Sequence, residues 1–345
     1  MSPTIHEVAK AAGVSASTVS RAMSGGSVHP STRRAILEVA NRLGYTPNRS
    51  ARGLTTGLTG NLGILVPDLS NPFFAKVIKG VAARIRTPDN ALFVSETDED
   101  VTRERETIES LVRNTDGLLL CSPRSSDEQI REAIGDASVV LLNRRIPGLP
   151  SVTYDLGAAA MQGVQHLIAL GHRKIAYVTG PEGSWSNDIR RAAVLSAQDS
   201  GVEVIVVPTP APTFASGVLA GDLVLTTGAT AVIAFNDLLA IGVLNRLVTR
   251  GVRVPEEFSV VGHDDIDMAS MCTPPLTTVA AQTERIGSMG ADLLLRSLHG
   301  RRGRGGRDGN GASTDAHEQE ILTPSEIVLQ GSLTVRGSTA VVPPQ

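Results

Sequence analysis

"TIHEVAKAAGVSASTVSRAM", from Thr4 to Met23, reads as two short helices and the turn between them. Thr4 followed by Glu7 is a capping box: the hydroxyl takes the third helical N–H while the carboxylate reaches back to the cap's own N–H. Ile5, Val8, Ala9 and Ala12 recur at helical spacing as one apolar stripe, and Gly13 ends the helix. Ser15 caps a second helix, with Val19 and Met23 turned inward and Ala16, Ser17, Ser20 and Arg21 on the outer face. A third, from about Ser31 to Leu43, buries Ile36, Val39, Ala40 and Leu43 and stops at Gly44. Two helices joined by a tight glycine turn and propped by a third make a helix-turn-helix, whose second helix lies in the major groove of DNA. An ordinary three-helix unit would leave unexplained an exposed face of Ser, Thr and Arg without an acid.

The charge distribution agrees. Residues 1–60 hold seven Lys/Arg and two acids, net +5, whereas the rest, with 25 basic and 33 acidic residues, carries −8. A basic head on an acidic body suits a segment that meets a polyanion. At 345 residues the chain exceeds one compact core and suggests two or three folding units. Cys121 closes an apolar run and Cys272 sits in a Pro-containing loop; two such isolated thiols make no disulfide framework and fit a reducing compartment. No secretory h-region follows Met1, and no apolar run nears the roughly 18 residues of a membrane span. A soluble cytoplasmic protein without a membrane partner is expected.

Pro47 separates the head, 1–46, from a linker, 47–60. Asn48, beside Arg49, can cap one or two turns, but Gly53 costs a helix interior about 1 kcal/mol, so this helix needs a partner to form. Leu54, apolar in a polar and basic stretch, reads either as a wedge for the minor groove or as a linker residue resting on the body.

In the body, the apolar runs "LGILVP", "ALFVSE", "GLLLCS", "VVLLNR", "KIAYVTG", "VEVIVVP", "TAVIAFND" and "FSVVGHDD" alternate with helical patterns. That alternation predicts parallel sheets covered on both faces. Eight runs and a strand-like pair near the C-terminus are too many for one small open sheet, so two doubly wound α/β subdomains are expected, 61–154 and 155–280. Residues 299–320, "HGRRGRGGRDGNGASTDAHEQE", are Gly- and Arg-rich with almost no apolar side chain, and read as a flexible insertion, with a nucleic-acid-binding arm as the alternative.

Ligands of open parallel sheets sit beyond the carboxyl ends of the strands. Asn71, Phe73 and Phe74 follow the first run, Asp98 the second, Asn143 and Arg144 the fourth, with Trp185, Arg190, Asn236 and Asp264 in corresponding later places. An Arg and an Asp across a cleft can hold hydroxyls in charge-assisted bonds, while Phe73 and Trp185 offer apolar faces. That chemistry suits a sugar or a nucleoside-like ring. Duller roles stand beside it: Asn236, Asp237 and Asp265 as caps or loop formers, His172 as a helix C-terminal cap. His263 to Asp265 lacks a second ligand cluster for a metal, and no nucleophile elbow, phosphate loop or dinucleotide fingerprint organises an enzyme; no catalytic residue, metal or cofactor is expected. A sugar-binding protein of transport type or a sugar-modifying enzyme are the competing classes. The first would carry a signal peptide and no basic head, and the second would need turnover.

"IHEVAKAAGVSASTVSRAMSG", "TRRAILEVANRLGYTPNRSARGL", "DLSNPFF", "LGHRKIAYVTGP", "FNDLLAIG" and "VVGHDD…PPLTTV" occur in this order and resemble the lactose/galactose-repressor (LacI-type) family. The resemblance implies a homodimeric or tetrameric transcription factor, usually a repressor. Its helix-turn-helix head would bind a palindromic operator, and its periplasmic-binding-protein-like core a small-molecule effector. Carried over by motif, Ala16, Ser17 and Arg21 would read bases, Ser15, Thr18, Ser24 and Thr32 would contact phosphates, and Leu54 would be the hinge leucine. Ser20, Asn48 and Arg49 complete the expected DNA-facing set. Effector contacts would come from Asn143, Arg190, Asn236 and Asp264, with Phe73 and Trp185 nearby. The family's crossovers would return helix 283–298 to the first subdomain and residues 321–338 to the second. One departure is Ala281, where relatives often place a Gln, so no contact is expected from that loop.

Overall fold

The computed structural model describes residues 3–23, 26–45, 59–86, 90–305 and 325–342, with 301–305 in backbone only. The chain divides into two compact units, 1–60 and 61–345.

The head packs α1 (Ile5–Ala12), α2 (Ala16–Met23) and α3 (Pro30–Leu43) around Val8, Val19 and Ile36. The Thr4 to Glu7 capping box is formed in both directions, and Gly13 and Gly44 end α1 and α3 in left-handed backbone at φ 65° and 68°. Ser15 Oγ accepts the Thr18 N–H at 3.1 Å and so caps α2. The third helix starts one residue earlier than expected, with Pro30 in its first turn. Leu43 departs from expectation: it is exposed rather than buried. Eight-residue partners span about 12 Å and cannot cover the last turn of a helix about 21 Å long. Met23 is only half-buried against the same core.

The second unit begins β1 (Asn61–Val66), α4 (Pro72–Ile85), β2 (Ala91–Glu96), α5 (Val101–Asn114), β3 (Gly117–Cys121), α6 (Asp127–Ile134), β4 (Val139–Leu142), β5 (Ser151–Tyr154). It continues α7 (Leu156–Ala169), β6 (Lys174–Val178), α8 (Trp185–Leu195), β7 (Glu203–Val207), α9 (Phe214–Thr226), β8 (Ala231–Ala234). Then come α10 (Asp237–Thr249), β9 (Ser259–Asp264), α11 (Asp267–Met271), β10 (Thr277–Ala280), α12 (Thr283–Gly305), β11 (Glu326–Leu329) and β12 (Ser332–Thr334).

Two six-stranded sheets result, β11-β5-β4-β3-β1-β2 and β12-β10-β9-β8-β6-β7, parallel except for the β10–β12 pair. Each therefore carries the strand order 2-1-3-4-5 of a doubly wound sheet. β3, β4, β8 and β9 are buried on both faces, as near-continuous apolar runs require. The edge strands are less covered: β2 leaves Phe93 exposed and β11 leaves Val328 exposed.

Helix α12 returns to the first subdomain and crosses α4, where a Cβ on Gly80 would lie 2.0 Å from the Glu284 carbonyl; only glycine lets the backbones touch. Two boundaries differ from expectation. The backbone of α12 runs on to Gly305, so the stretch read as an insertion from 299 begins as helix. Of residues 321–338, β11 joins the first sheet by pairing Glu326–Leu329 with Ser151–Tyr154, and only β12 rejoins the second. Strands β5 and β10 escaped the sequence reading because each is four residues long and rich in Thr and Ser, which blurs an apolar run.

Candidate functional site

On the head, Ser15 Oγ lies 2.8 Å from both Ser17 Oγ and Thr18 Oγ1, so three hydroxyls cluster at the start of α2. That first turn holds no acid. Helix N–H groups and hydroxyls together form a surface suited to phosphate. Ser17, Ser20 and Arg21 are exposed, and Arg21 Nε donates to the Ser17 carbonyl at 3.3 Å, which lays the side chain along the helix. Ala16 is half-buried against the head core, so only part of it faces outward; Thr32 is half-buried at the start of α3. Ser24, Asn48, Arg49 and Leu54 lie outside the described residues.

In the core, identical strand orders create two switch points, one between β1 and β3 and one between β6 and β8, where ligands of such sheets bind. The loops leaving these strands meet in one pocket. Asn71, Phe73 and Phe74 enter it from the loop after β1 and the start of α4, Asn143 from the end of β4, Arg190 from α8, Asn236 from the end of β8 and Asp264 from the end of β9. Its cavity is about 20 Å³, room for one water-sized sphere. That space is smaller than a sugar ring.

Three expected residues do not line it. Asp98 is exposed on the β2–α5 turn. Arg144 is buried but turned to the protein: it donates to the carbonyls of Pro123 (3.0 Å) and Ser125 (3.2 Å) and pairs with Asp127 at 2.7 Å. Trp185 packs its ring on the apolar cluster that contains Phe73, Phe74 and Tyr154. In exchange, Glu99, Ser122, Arg124, Ser186, Pro212 and Phe235 line the pocket without having been singled out. Ala281 and Gln282 do not line it; Gln282 bonds the Gln330 carbonyl instead.

Arg190 is the centre of the pocket wall that the second subdomain supplies. Its Nη1 donates to the Phe235 carbonyl at 2.5 Å, and Nη2 donates to Asp264 Oδ1 at 3.2 Å and to the Tyr154 hydroxyl. The guanidinium also lies 4.8 Å from the Phe235 ring centre, a cation–π contact. Asp264 holds left-handed backbone at φ 107°, and burial pushes its carboxyl up to about 6, with Arg190 opposing. Burial holds the Tyr154 phenol up at about 12, so it stays neutral. Neighbouring His263 is driven down to about 3, by burial first and Arg190 second; its Nδ1 faces the Ala234 carbonyl at 2.8 Å, so that nitrogen carries the proton.

Asn236 does two things at once: its side chain caps α10 through the Leu239 N–H (2.9 Å) and donates to the Pro212 carbonyl (2.9 Å), while bordering the pocket. Asn143 holds φ 53°, donates to Ser122 Oγ at 2.8 Å, and leaves its buried Oδ1 without a partner. An unpaired buried acceptor in a pocket wall is costly unless a ligand donor meets it. Asp237 is not at the pocket; it accepts from Thr278 Oγ1 (2.5 Å) and the Ile266 N–H (2.9 Å), and burial raises its carboxyl well above the usual range. His172 is a core residue whose ring bonds Thr230 and Ser259. Among the described residues, no group of three or more His, Cys, Asp or Glu could hold a metal, and no helix is long and apolar enough to cross a membrane.

Residues 4–48 match the model of bacterial regulatory proteins of the lacI family, and residues 164–339 that of a periplasmic binding protein-like domain. The transcriptional regulator DegA of Bacillus subtilis is 31% identical, the alignment covering 96% of this chain and 98% of DegA. This chain belongs to the LacI family. Among solved structures, the lac repressor dimer bound to operator and an anti-inducer superposes with a TM-score of 0.82 at 25% identity, covering 99% of this chain and all of that one. A LacI-family regulator from Enterococcus faecalis V583 with bound ribose matches 82% of this chain and 99% of its own, with a TM-score of 0.70 and 28% identity. The protein is thus a transcriptional regulator with a DNA-binding head and a small-molecule-binding core.

Proposed function

We propose that this LacI-family protein is a cytoplasmic repressor. It binds a palindromic operator as a homodimer through Ser15, Ala16, Ser17, Thr18, Ser20, Arg21, Ser24, Thr32, Asn48, Arg49 and Leu54, and its grip is changed by a sugar or nucleoside-like effector. The effector reading is carried by one arrangement: Arg190 and Asp264 paired in the pocket wall, with the unpartnered Asn143 Oδ1 in the same pocket. Donor, acceptor and charged acceptor together suit a ligand rich in hydroxyls, each of which donates and accepts. Ribose in the Enterococcus faecalis neighbour is of that class. Because the cavity holds about 20 Å³, binding has to part and reclose the subdomains, a movement that can alter the separation of two paired linkers. The dimer is supported by α9, which exposes Phe214, Leu219 and Leu223 and has Asp222 as its one charged residue.

Selection of bound sequences from random DNA, repeated with a panel of sugars and nucleosides, tests the whole reading. A palindrome should emerge, and one panel member should change its recovery. Residues 61–345 alone should lose operator binding and keep ligand binding; operator binding by that fragment at full strength would reject the head's role.

A further inference from the structure

The first subdomain supplies a second ion pair to the pocket. Asp98 and Glu99 both adopt left-handed backbone, φ 56° and 57°, an unfavourable conformation for residues with a Cβ. This turn leaves Asp98 exposed and brings Glu99 into the pocket wall, where its carboxylate takes Nε and Nη2 of Arg124 at 2.8 and 3.0 Å. Arg124 is fixed from behind as well: the buried carboxylate of Glu104 accepts its backbone N–H and that of Ser125, each at 2.8 Å. Nη1 then crosses the cleft to Ser184 Oγ in the second subdomain, at 2.9 Å.

The charged residues lining the pocket are these two and the Arg190–Asp264 pair, so each cation has its own carboxylate. An anionic ligand would meet two carboxylates along with two guanidinium groups and gain little net attraction. A hydroxyl can accept from either arginine and donate to either acid.

We propose that Glu99 and Arg124 together decide which effectors the cleft accepts: Glu99 cancels and aims the guanidinium, which closes onto Ser184 around an uncharged, hydroxyl-bearing ligand and turns away a phosphorylated one. The inference rests on the effector reading given above. Its test is calorimetric titration of the full-length protein with two matched pairs, glucose and glucose 6-phosphate, ribose and ribose 5-phosphate. Glu99→Gln keeps the shape and uncovers the arginine, so it should gain about tenfold or more in affinity for a phosphorylated member, and adding Arg124→Met should remove the gain. Tighter binding of a phosphorylated member than of its neutral partner by the wild type, or no gain in Glu99→Gln, overturns the proposal.

Should Glu99→Gln fail to fold, Arg124→Met decides through the single tryptophan, Trp185, which adjoins Ser184. Loss of the cross-cleft bond should raise its quenching by acrylamide, and unchanged quenching overturns the closing role. The two readings fail separately. If ligand binding survives Arg190→Ala, the pocket is wrongly assigned; if Arg190→Ala abolishes it while Glu99→Gln changes nothing, only this proposal falls.

Discussion

The two walls of the cleft come from sheets of the same strand order, and each presents one arginine and one carboxylate, but they hold them differently. Arg124 and Glu99 meet fork to fork at 2.8 and 3.0 Å. Arg190, with its side chain 2% exposed, touches Asp264 through one 3.2 Å contact and spreads its other donors over the Phe235 carbonyl and Tyr154, leaving Nε unpartnered. Geometry decides how far a buried pair repays its desolvation, and a bidentate pair repays more than a single long contact. Of the two ion pairs, the second wall's is the poorly saturated one. Arg190 keeps a donor without a partner there, as Asn143 Oδ1 keeps an acceptor in the first wall, and the loosely paired second wall is the more fragile.

That asymmetry is tested most severely by removing one partner. Arg190→Ala leaves Asp264 buried without its cation, and should cost about 3–5 kcal/mol of stability in urea unfolding. The double variant Arg190→Met/Asp264→Leu should recover much of that loss while remaining unable to bind the effector. A double variant no more stable than the single one would mean that packing, not uncompensated charge, dominates this wall.

A smaller effect comes from pH. Asp264 titrates near 6 in the fold against 3.8 in a free chain, because burial disfavours its charge. For folding, a raised value means that this group's contribution is full below about 3.8 and is lost as pH rises through about 6. For binding, the sign reverses where the ligand needs the charged acceptor: the carboxylate exists above about 6 and is protonated below. Effector affinity should therefore fall by roughly tenfold between pH 7 and 5. Titrations of whichever panel member binds, at pH 5, 6 and 7, measure that slope. Asp264→Asn should flatten it, and a slope that survives the substitution would place the titrating group elsewhere.

The same contrast explains what could be read from residue order alone. Asn236 and Asp264 stand at or just beyond the ends of apolar strands, so strand periodicity locates them; Arg190 lies in the second turn of the Ser184-capped helix that follows β6. The head was legible for the same kind of reason: Thr4, Glu7, Gly13 and Ser15 mark caps and a turn by their chemistry. Glu99 and Arg124 were not, because "TDED" carries four polar residues in a row and nothing local says that the chain turns left-handed at its second and third. Arg124 and Arg144 both follow buried strands. Which one faces the cleft and which one braces the backbone of residues 123–125 depends on Glu104 and Asp127, brought in from other helices. The return of Glu326–Leu329 to the first sheet is likewise a matter of pairing partners, which a four-residue strand does not announce.

The smallest expected effect sharpens the comparison within a single turn. Asp98 and Glu99 carry nearly the same left-handed φ, 56° and 57°, so glycine at either site removes a similar backbone strain, on the order of 1 kcal/mol. Their side chains differ in what they hold. Asp98 is exposed and does not border the pocket. Asp98→Gly should therefore leave ligand affinity unchanged, and thermal unfolding should show it equal to or slightly more stable than the wild type, strain relief being set against the greater chain entropy of glycine. Glu99→Gly gains the same relief but strips Arg124 of its bidentate partner and leaves a buried guanidinium held by Ser184 alone. It should be less stable than Asp98→Gly despite the identical backbone change. Equal stabilities would show that the Glu99–Arg124 pair contributes nothing beyond its desolvation cost, and that the difference between the two walls is one of geometry without energetic consequence.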